Sequence, residues 1–241
     1  MQISNSKNRQ KRKPIDGVKA IVFDLDNTLI ESGINFREMK TSIVNLFVKM
    51  GVAPNLLNEN MLNLEIIKAS EEYLSKKMSK ERVKEILKKA DEIMNKFEME
   101  SLRDARLMKD AIDVLKFLDE MGFKIGIVTN GCRKYAEKII NMFGLGKYVD
   151  ALVARDDVSH PKPDPRHLQH ILNILNVSAE EAVFIGDHWI DAICAKRAKV
   201  PFILFSKEKR GFEKVSLQSP HIVINSLGEI IALIHRIPCE K

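Results

Sequence analysis

Short apolar runs alternate along this chain with longer segments in which apolar residues recur every three or four positions. The runs at 18–23, 123–129 and 182–186 are rich in Val, Ile and Phe, which is typical of strands buried on both faces of a parallel sheet. Further short strands are predicted at 150–154, 201–205 and 221–224, and helices at 134–143, 165–175, 190–198 and 227–235. Strands that alternate with helices predict an α/β fold with helices on both faces of the sheet.

The first two strands are separated by about 100 residues, although a crossover between parallel strands needs only a dozen or so. Helical periodicity fills this interval at 36–50, 62–74 and 82–97, with Gly51 and Pro54 between the first two helices. Apolar stripes at this spacing are typical of a helix core. We therefore predict a helical insertion at 32–106, within a core formed by 17–31 and 107–241.

Composition limits the class of protein. The 241 residues are 45% hydrophobic, enough for a substantial core, and no apolar run reaches the ~18 residues of a membrane span. Five of the six net positive charges lie among the first 13 residues. This predicts a basic, disordered tail at 1–16, with a nucleic-acid contact as the alternative. No secretory signal is evident, and three cysteines without CxxC spacing favour free thiols and a cytoplasmic location.

Four segments that carry polar residues lie at or beyond the carboxyl ends of predicted strands. Ligands of parallel α/β sheets bind outside the carboxyl ends of the strands, so we expect these segments to form one site. They are Asp24-Leu25-Asp26-Asn27-Thr28, Thr129-Asn130-Gly131, Lys162 between Pro161 and Pro163, and Gly186-Asp187 with Asp191.

The first segment places two carboxylates on one short loop. Asp24 and Asp26 would repel each other unless a cation lay between them, and Mg²⁺ with oxygen ligands suits phosphate chemistry. One carboxylate could then attack phosphorus, while the other transfers protons. A surface turn with capping acids is the simpler alternative.

The other segments add anion donors and more acid. Gly131 lets backbone N–H groups approach an anion, and the Thr129 hydroxyl donates a further hydrogen bond, although Thr129 could instead cap a helix. Lys162, held among prolines, can stabilise charge on phosphoryl oxygens. Asp187 would complete a metal shell, and Asp191 either joins it or stabilises a helix N-terminus.

Together these segments resemble the four motifs of the haloacid dehalogenase (HAD) superfamily, over nearly the whole chain beyond the tail. The resemblance implies a Rossmann-like core and a C1-type helical cap at 32–106. It implies Asp24 as nucleophile, Asp26 as general acid/base, and phosphate contacts from Thr129, Asn130, Gly131 and Lys162. Mg²⁺ would be held by Asp24, the Asp26 carbonyl and Asp187, with Asp191 as a ligand or in support. The segment Asp156-Asp157-Val158 resembles phosphoglycolate-phosphatase-like members.

The expected function is a Mg²⁺-dependent phosphomonoester hydrolase acting on a small phosphorylated metabolite. A 2-haloacid dehalogenase is one alternative, although Asp26 counts against it, and a β-phosphoglucomutase-like phosphomutase is another. A non-catalytic nucleic-acid-binding protein is the third. His188-Trp189 departs from the family pattern, and we interpret it as a hydrogen-bonded His beside a packed Trp. The specific substrate and the oligomeric state stay open.

Overall fold

A computed structural model describes residues 17–58, 60–206, 220 and 222–235. The predicted tail at 1–16 and Cys239 lie outside the described residues. The other two cysteines, Cys132 and Cys194, are free and buried. Among the described helices, none is long and apolar enough to cross a membrane.

Within the described residues, six parallel strands form one sheet in the order β5-β4-β1-β6-β7-β8. The first strand lies in the middle, with Phe23 opposite Ile127 of β4 and Ile185 of β6. The three segments that follow these central strands therefore begin at the same edge of the sheet. The six strands are β1 (Ala20–Phe23), β4 (Lys124–Val128), β5 (Ala151–Val153), β6 (Ala182–Gly186), β7 (Phe202–Phe205) and β8 (Ile222–Ile224).

Helices cover both faces of this sheet, as the sequence predicts. Side chains alternate along a strand, so Ile21 and Phe23 pack in one hydrophobic cluster and Ala20 and Val22 in another. The first cluster includes α4 (Ala111–Glu120), α5 (Arg133–Met142) and α8 (Glu229–His235). The second includes α6 (Pro165–Leu175) and α7 (Trp189–Ala198).

Three helices occupy the interval between β1 and β4: α1 (Phe36–Lys49), α2 (Asn63–Leu74) and α3 (Lys80–Ser101). They pack on one another through buried stripes such as Met39, Ile43 and Phe47 of α1. The chain enters and leaves this helical segment through a short two-stranded antiparallel sheet that was not predicted from the sequence. Its strands are β2 (Ile30–Glu31) and β3 (Arg106–Leu107), each too short to show a period.

The predicted element bounds agree with the structure to within a few residues, and α6 and β6 match fully. The largest difference is in α3, which continues to Ser101 rather than ending at 97. Its last turn contains the polar residues Glu98 and Ser101, but both are buried and hydrogen-bonded within the protein. Tertiary contacts thus extend this helix beyond the point at which its apolar pattern predicts its end.

Candidate active site

A cavity of about 390 Å³ lies between the carboxyl ends of the central strands and the inserted helices. All eight residues singled out from the sequence line it. Five belong to the loops after β1 and β4, one to the loop before α6, one to the β6–α7 connection and one to the first turn of α7. They are Asp24, Asp26, Thr129, Asn130, Gly131, Lys162, Asp187 and Asp191.

The ammonium group of Lys162 lies between two carboxylates. Its Nζ is 2.5 Å from Asp24 Oδ1 and 2.7 Å from Asp191 Oδ1, and all three residues are buried. Burial alone would lower the pKa of Lys162, but Asp191 and Asp24 together raise it well above its usual value. The lysine is therefore a fixed cation at this site, and not a surface residue.

Carboxylate oxygens of Asp24, Asp187 and Asp191 all lie within 4.8 Å of one another. Burial raises the pKa of Asp24, Lys162 opposes this rise, and Asp191, Asp187 and Asp26 add to it. Burial and Asp191 likewise raise the pKa of Asp187 to about 7. When all three are ionised, these carboxylates and the one lysine leave two negative charges, and this oxygen-donor set fits a divalent cation such as Mg²⁺.

Local structure fixes the orientation of Asp191. It lies in the first turn of α7, where its Oδ2 accepts a hydrogen bond from the His188 N–H at 3.1 Å. Its other oxygen faces Lys162, so one side chain both starts the helix and belongs to the acidic cluster. Gly186 makes this possible, because a Cβ there would lie 2.7 Å from the Asp191 carboxyl group.

Asp26 points to a different part of the cavity from Asp24. Its carboxylate accepts hydrogen bonds from the Tyr135 hydroxyl at 2.7 Å and from the Thr129 hydroxyl at 3.3 Å. Burial raises its pKa to about 6, the Tyr135 bond counteracts part of this rise, and nearby Glu98 adds to it. A carboxyl group with a pKa near neutrality is suited to proton transfer. Tyr135 was not predicted from the sequence, because it lies on the buried face of α5 and its position there is typical of a core residue.

The loop from 129 to 132 carries the predicted anion donors. Thr129 does not cap α5, because that helix begins after Cys132. Its hydroxyl instead accepts a hydrogen bond from the Gly131 N–H at 2.9 Å. The Asn130 side-chain amide donates to the Lys162 carbonyl at 2.9 Å, which joins this loop to the lysine-bearing loop.

A buried histidine supports Lys162. The Lys162 N–H donates to His167 Nδ1 at 3.0 Å, and His167 Nε2 lies 3.3 Å from the Val153 carbonyl. Burial and the nearby lysine lower the pKa of His167 to about 3, so the imidazole is neutral. Its only sequence signal is a position in α6 two residues after Pro165.

The remaining residues noted from the sequence have structural contacts. His188 Nδ1 accepts the Ile190 N–H at 3.4 Å, and Trp189 packs on the second hydrophobic cluster, as expected. Asp157 Oδ1 accepts a hydrogen bond from Arg133 Nε at 2.6 Å. Asp156 accepts the Arg133 N–H at 2.7 Å, so the two acids brace the start of α5.

The inserted helices form the opposite wall of the cavity. This wall is mainly apolar, with Lys40, Asn63 and Glu98 as its polar members. Its apolar residues are Ile34, Phe36, Met39, Leu62, Leu64 and Met94.

A sequence model of the haloacid dehalogenase-like hydrolases matches residues 21–205, which include all four segments of the site. The chain belongs to this family. It is 26% identical over 227 residues to a pyrophosphatase PpaX from Bacillus mycoides, covering 91% of this chain and 98% of that protein. It is 32% identical over 120 residues to a phosphoglycolate phosphatase from Cupriavidus necator, covering 50% of this chain and 52% of that protein.

Solved structures show the same fold. A haloacid dehalogenase-like family hydrolase from Streptococcus pneumoniae superposes with a TM-score of 0.62 at 19% identity, covering 91% of this chain and 99% of that one. The chain is thus a hydrolase of the HAD family. These two relatives are named for different substrates, so the comparisons leave the substrate of this member open.

Proposed function

We propose that this HAD-family hydrolase is a Mg²⁺-dependent phosphatase that cleaves small phosphomonoesters through an aspartyl-phosphate intermediate. One observation carries the proposal: the cluster of the buried Asp24 and Asp191 and the partly buried Asp187 is balanced only in part by Lys162. A site of this charge calls for a divalent cation, and it lies beside a second carboxyl group, Asp26, that is tuned for proton transfer.

The side chains of Asp24 and Asp187, with the Asp26 backbone carbonyl, would hold Mg²⁺, and Asp191 would ligate or support it. When bound, the ion neutralises negative charge on the phosphoryl oxygens. The protein residues contribute the remaining chemistry. Lys162 favours the ionised form of Asp24 and stabilises negative charge that develops on the transferred group. Thr129, Asn130 and Gly131 would orient the phosphoryl oxygens through hydroxyl and amide donors, once the Thr129 hydroxyl turns from Asp26 and the Gly131 N–H from Thr129.

The reaction has two displacements at phosphorus. In the first, a carboxylate oxygen of Asp24 forms a bond to phosphorus, the bond to the leaving oxygen breaks, and Asp26 gives that oxygen its proton. In the second, water attacks the aspartyl-phosphate, Asp26 takes the proton from the water, and the bond between phosphorus and Asp24 breaks. The products are the alcohol and inorganic phosphate.

The helical segment at 32–106 would act as a cap that closes over this site and excludes water. Its residues line the cavity opposite the acids, where the leaving group of a small metabolite would lie. A phosphomutase would use the same machinery, whereas Asp26 disfavours a 2-haloacid dehalogenase. A nucleic-acid-binding role would depend on residues 1–16, outside the described region. The cytoplasmic location stays a prediction.

Hydrolysis of p-nitrophenyl phosphate, measured with Mg²⁺ and with EDTA, tests the proposal. We expect turnover only with the metal, and we expect Asp24→Asn to abolish it. Asp113→Asn, the same change at an exposed position in α4, is the matched control. Near-normal turnover by Asp24→Asn would refute the nucleophile assignment. A panel containing phosphoglycolate, pentose phosphates and hexose phosphates then identifies the substrate, and phosphate transfer to a sugar would reveal a mutase.

A further inference from the structure

A buried ion pair joins the inserted helices to the edge of the sheet. Arg155 lies in the short turn after β5, and its Nη1 is 2.5 Å from Oε1 of Glu98 in the last turn of α3. The two residues are only 6% and 3% exposed. Burying a charged pair is costly unless its geometry is good, so this contact calls for an explanation.

The same pair contacts the backbone of the 129–132 loop. Arg155 Nη1 donates to the Asn130 carbonyl at 2.7 Å, and the Arg155 N–H donates to the Gly131 carbonyl at 3.0 Å. Glu98 Oε2 accepts the Cys132 N–H at 3.0 Å. Three consecutive residues of the loop that carries the predicted phosphate donors are therefore fixed by the pair.

Arg155 also reaches further along α3. Its Nη2 donates to Asn95 Oδ1 at 2.6 Å and to Asp91 Oδ1 at 3.2 Å. A guanidinium group can hold several acceptors at once because its donors form a rigid planar fork, which a lysine ammonium cannot reproduce. This set of partners makes Arg155 the connection between α3 and the loop.

The charges of the pair depend on each other. Burial alone would lower the pKa of Arg155, but Glu98 and Asp91 raise it overall, so the guanidinium stays cationic. Without Arg155, Glu98 would be left as an uncompensated negative charge, which is strongly unfavourable in a buried site. That charge would lie beside the loop where a phosphate dianion is expected to bind.

We propose that Arg155 and Glu98 are positioning residues that hold the 129–132 loop in its phosphate-binding conformation and couple that conformation to the position of α3. Phosphate would then bind tightly only while the inserted helices lie over the edge of the sheet. The proposal rests on the proposed phosphatase function, but it concerns loop geometry and not the reacting groups.

The test uses the full chain with Mg²⁺ and four variants: Arg155→Met, Arg155→Lys, Glu98→Gln and the double variant Arg155→Met/Glu98→Gln. The measurements are kcat and KM for p-nitrophenyl phosphate and the inhibition constant of inorganic phosphate. Glu100→Gln is the matched control, because it makes the same change on the same helix at a side chain that is 57% exposed.

We expect Arg155→Met to raise KM and the phosphate inhibition constant at least tenfold, with a smaller effect on kcat. Adding Glu98→Gln should recover part of this loss, because it removes the uncompensated negative charge of Glu98. Arg155→Lys should have values between those of the wild type and Arg155→Met. Glu100→Gln should match the wild type. Wild-type phosphate inhibition in Arg155→Met, or a double variant that is worse than Arg155→Met, would overturn the proposal.

Amide hydrogen exchange supplies a readout that does not depend on catalysis. Exchange in a peptide covering 129–135 should be at least tenfold faster in Arg155→Met than in the wild type, and unchanged exchange would overturn the role of the pair. A wild type that hydrolyses no phosphate ester would instead refute the proposed function, while the exchange result still decides whether the pair holds the loop. If Arg155→Met fails to fold, unchanged phosphate inhibition and loop exchange in both Arg155→Lys and Glu98→Gln would overturn the proposal.

Discussion

Replacing Lys162 with methionine tests the electrostatics of the site most directly. Methionine keeps most of the side-chain volume and removes the charge that lies 2.5 Å from Asp24 and 2.7 Å from Asp191. Both carboxylates are nearly inaccessible to water, so the solvent cannot replace the lost cation. The variant therefore leaves two buried acids beside the proposed phosphate-binding site.

The size of the effect follows from these contacts. Removing one preorganised donor from a developing charge costs about 10²–10³ in kcat, and we expect at least that loss for Lys162→Met with p-nitrophenyl phosphate. Breaking a buried ion pair by removing one partner costs about 3–5 kcal/mol of stability. We expect a loss of that order in urea unfolding without metal, and a smaller one with Mg²⁺, which compensates the same acids.

Lys134→Met is the matched control for this variant. It removes one positive charge from an exposed position in α5, close to the 129–132 loop in sequence. Its kcat and unfolding free energy should equal those of the wild type. A loss below tenfold in kcat for Lys162→Met, with Lys134→Met unchanged, would refute the assignment of Lys162 as the stabilising cation.

Three further variants probe the acidic cluster and its support. Asp187→Ala should abolish activity or shift the Mg²⁺ dependence of the rate to much higher concentration, and an unchanged metal titration would remove Asp187 from the ligand set. Gly186→Ala should lower kcat at least tenfold, because the added Cβ would lie 2.7 Å from the Asp191 carboxyl group. Gly146→Ala is the control, because its Cβ would lie 3.5 Å from its nearest neighbour, and it should leave kcat unchanged. Equal kcat values for Gly186→Ala and Gly146→Ala would contradict the steric reasoning. His167→Asn keeps an acceptor for the Lys162 N–H and should reduce the pH dependence of stability.

The sign of that last effect follows from the pKa of His167, which is lowered from 6.5 to about 3 in the folded protein. Between these values the unfolded chain takes up a proton that the folded protein does not, so wild-type stability falls as the pH falls through this range. At 1.36 kcal/mol per pKa unit, the loss of unfolding free energy due to His167 reaches on the order of 5 kcal/mol once the pH is below both pKa values. Unfolding free energies measured from pH 7 to 4 should therefore decrease more steeply in the wild type than in His167→Asn. Parallel curves would show that His167 is not buried in its neutral form.

Much of the fold could be predicted from the sequence because the signals are local. The strands at β1, β4 and β6 are continuous apolar runs, and each is followed directly by the polar residues of the site. Carboxyl ends of neighbouring parallel strands meet at one edge, so the convergence of Asp24, Thr129 and Asp187 follows from the sequence pattern. The three helices between β1 and β4 could also be predicted, since their apolar stripes repeat at the helical period.

The partners of the site residues were decided by tertiary structure alone. Tyr135 lies 109 positions from Asp26, and Arg155 lies 57 positions from Glu98, so no local pattern relates them. Glu98 resembles the solvated acids elsewhere in α3, and Tyr135 resembles an ordinary core residue of α5. A hydrogen bond or an ion pair depends on which surfaces the packed elements bring within about 3 Å. The sequence therefore specified which chemical groups stand at the ends of the strands, whereas packing determined their hydrogen-bond partners, their burial and the resulting shifts in pKa.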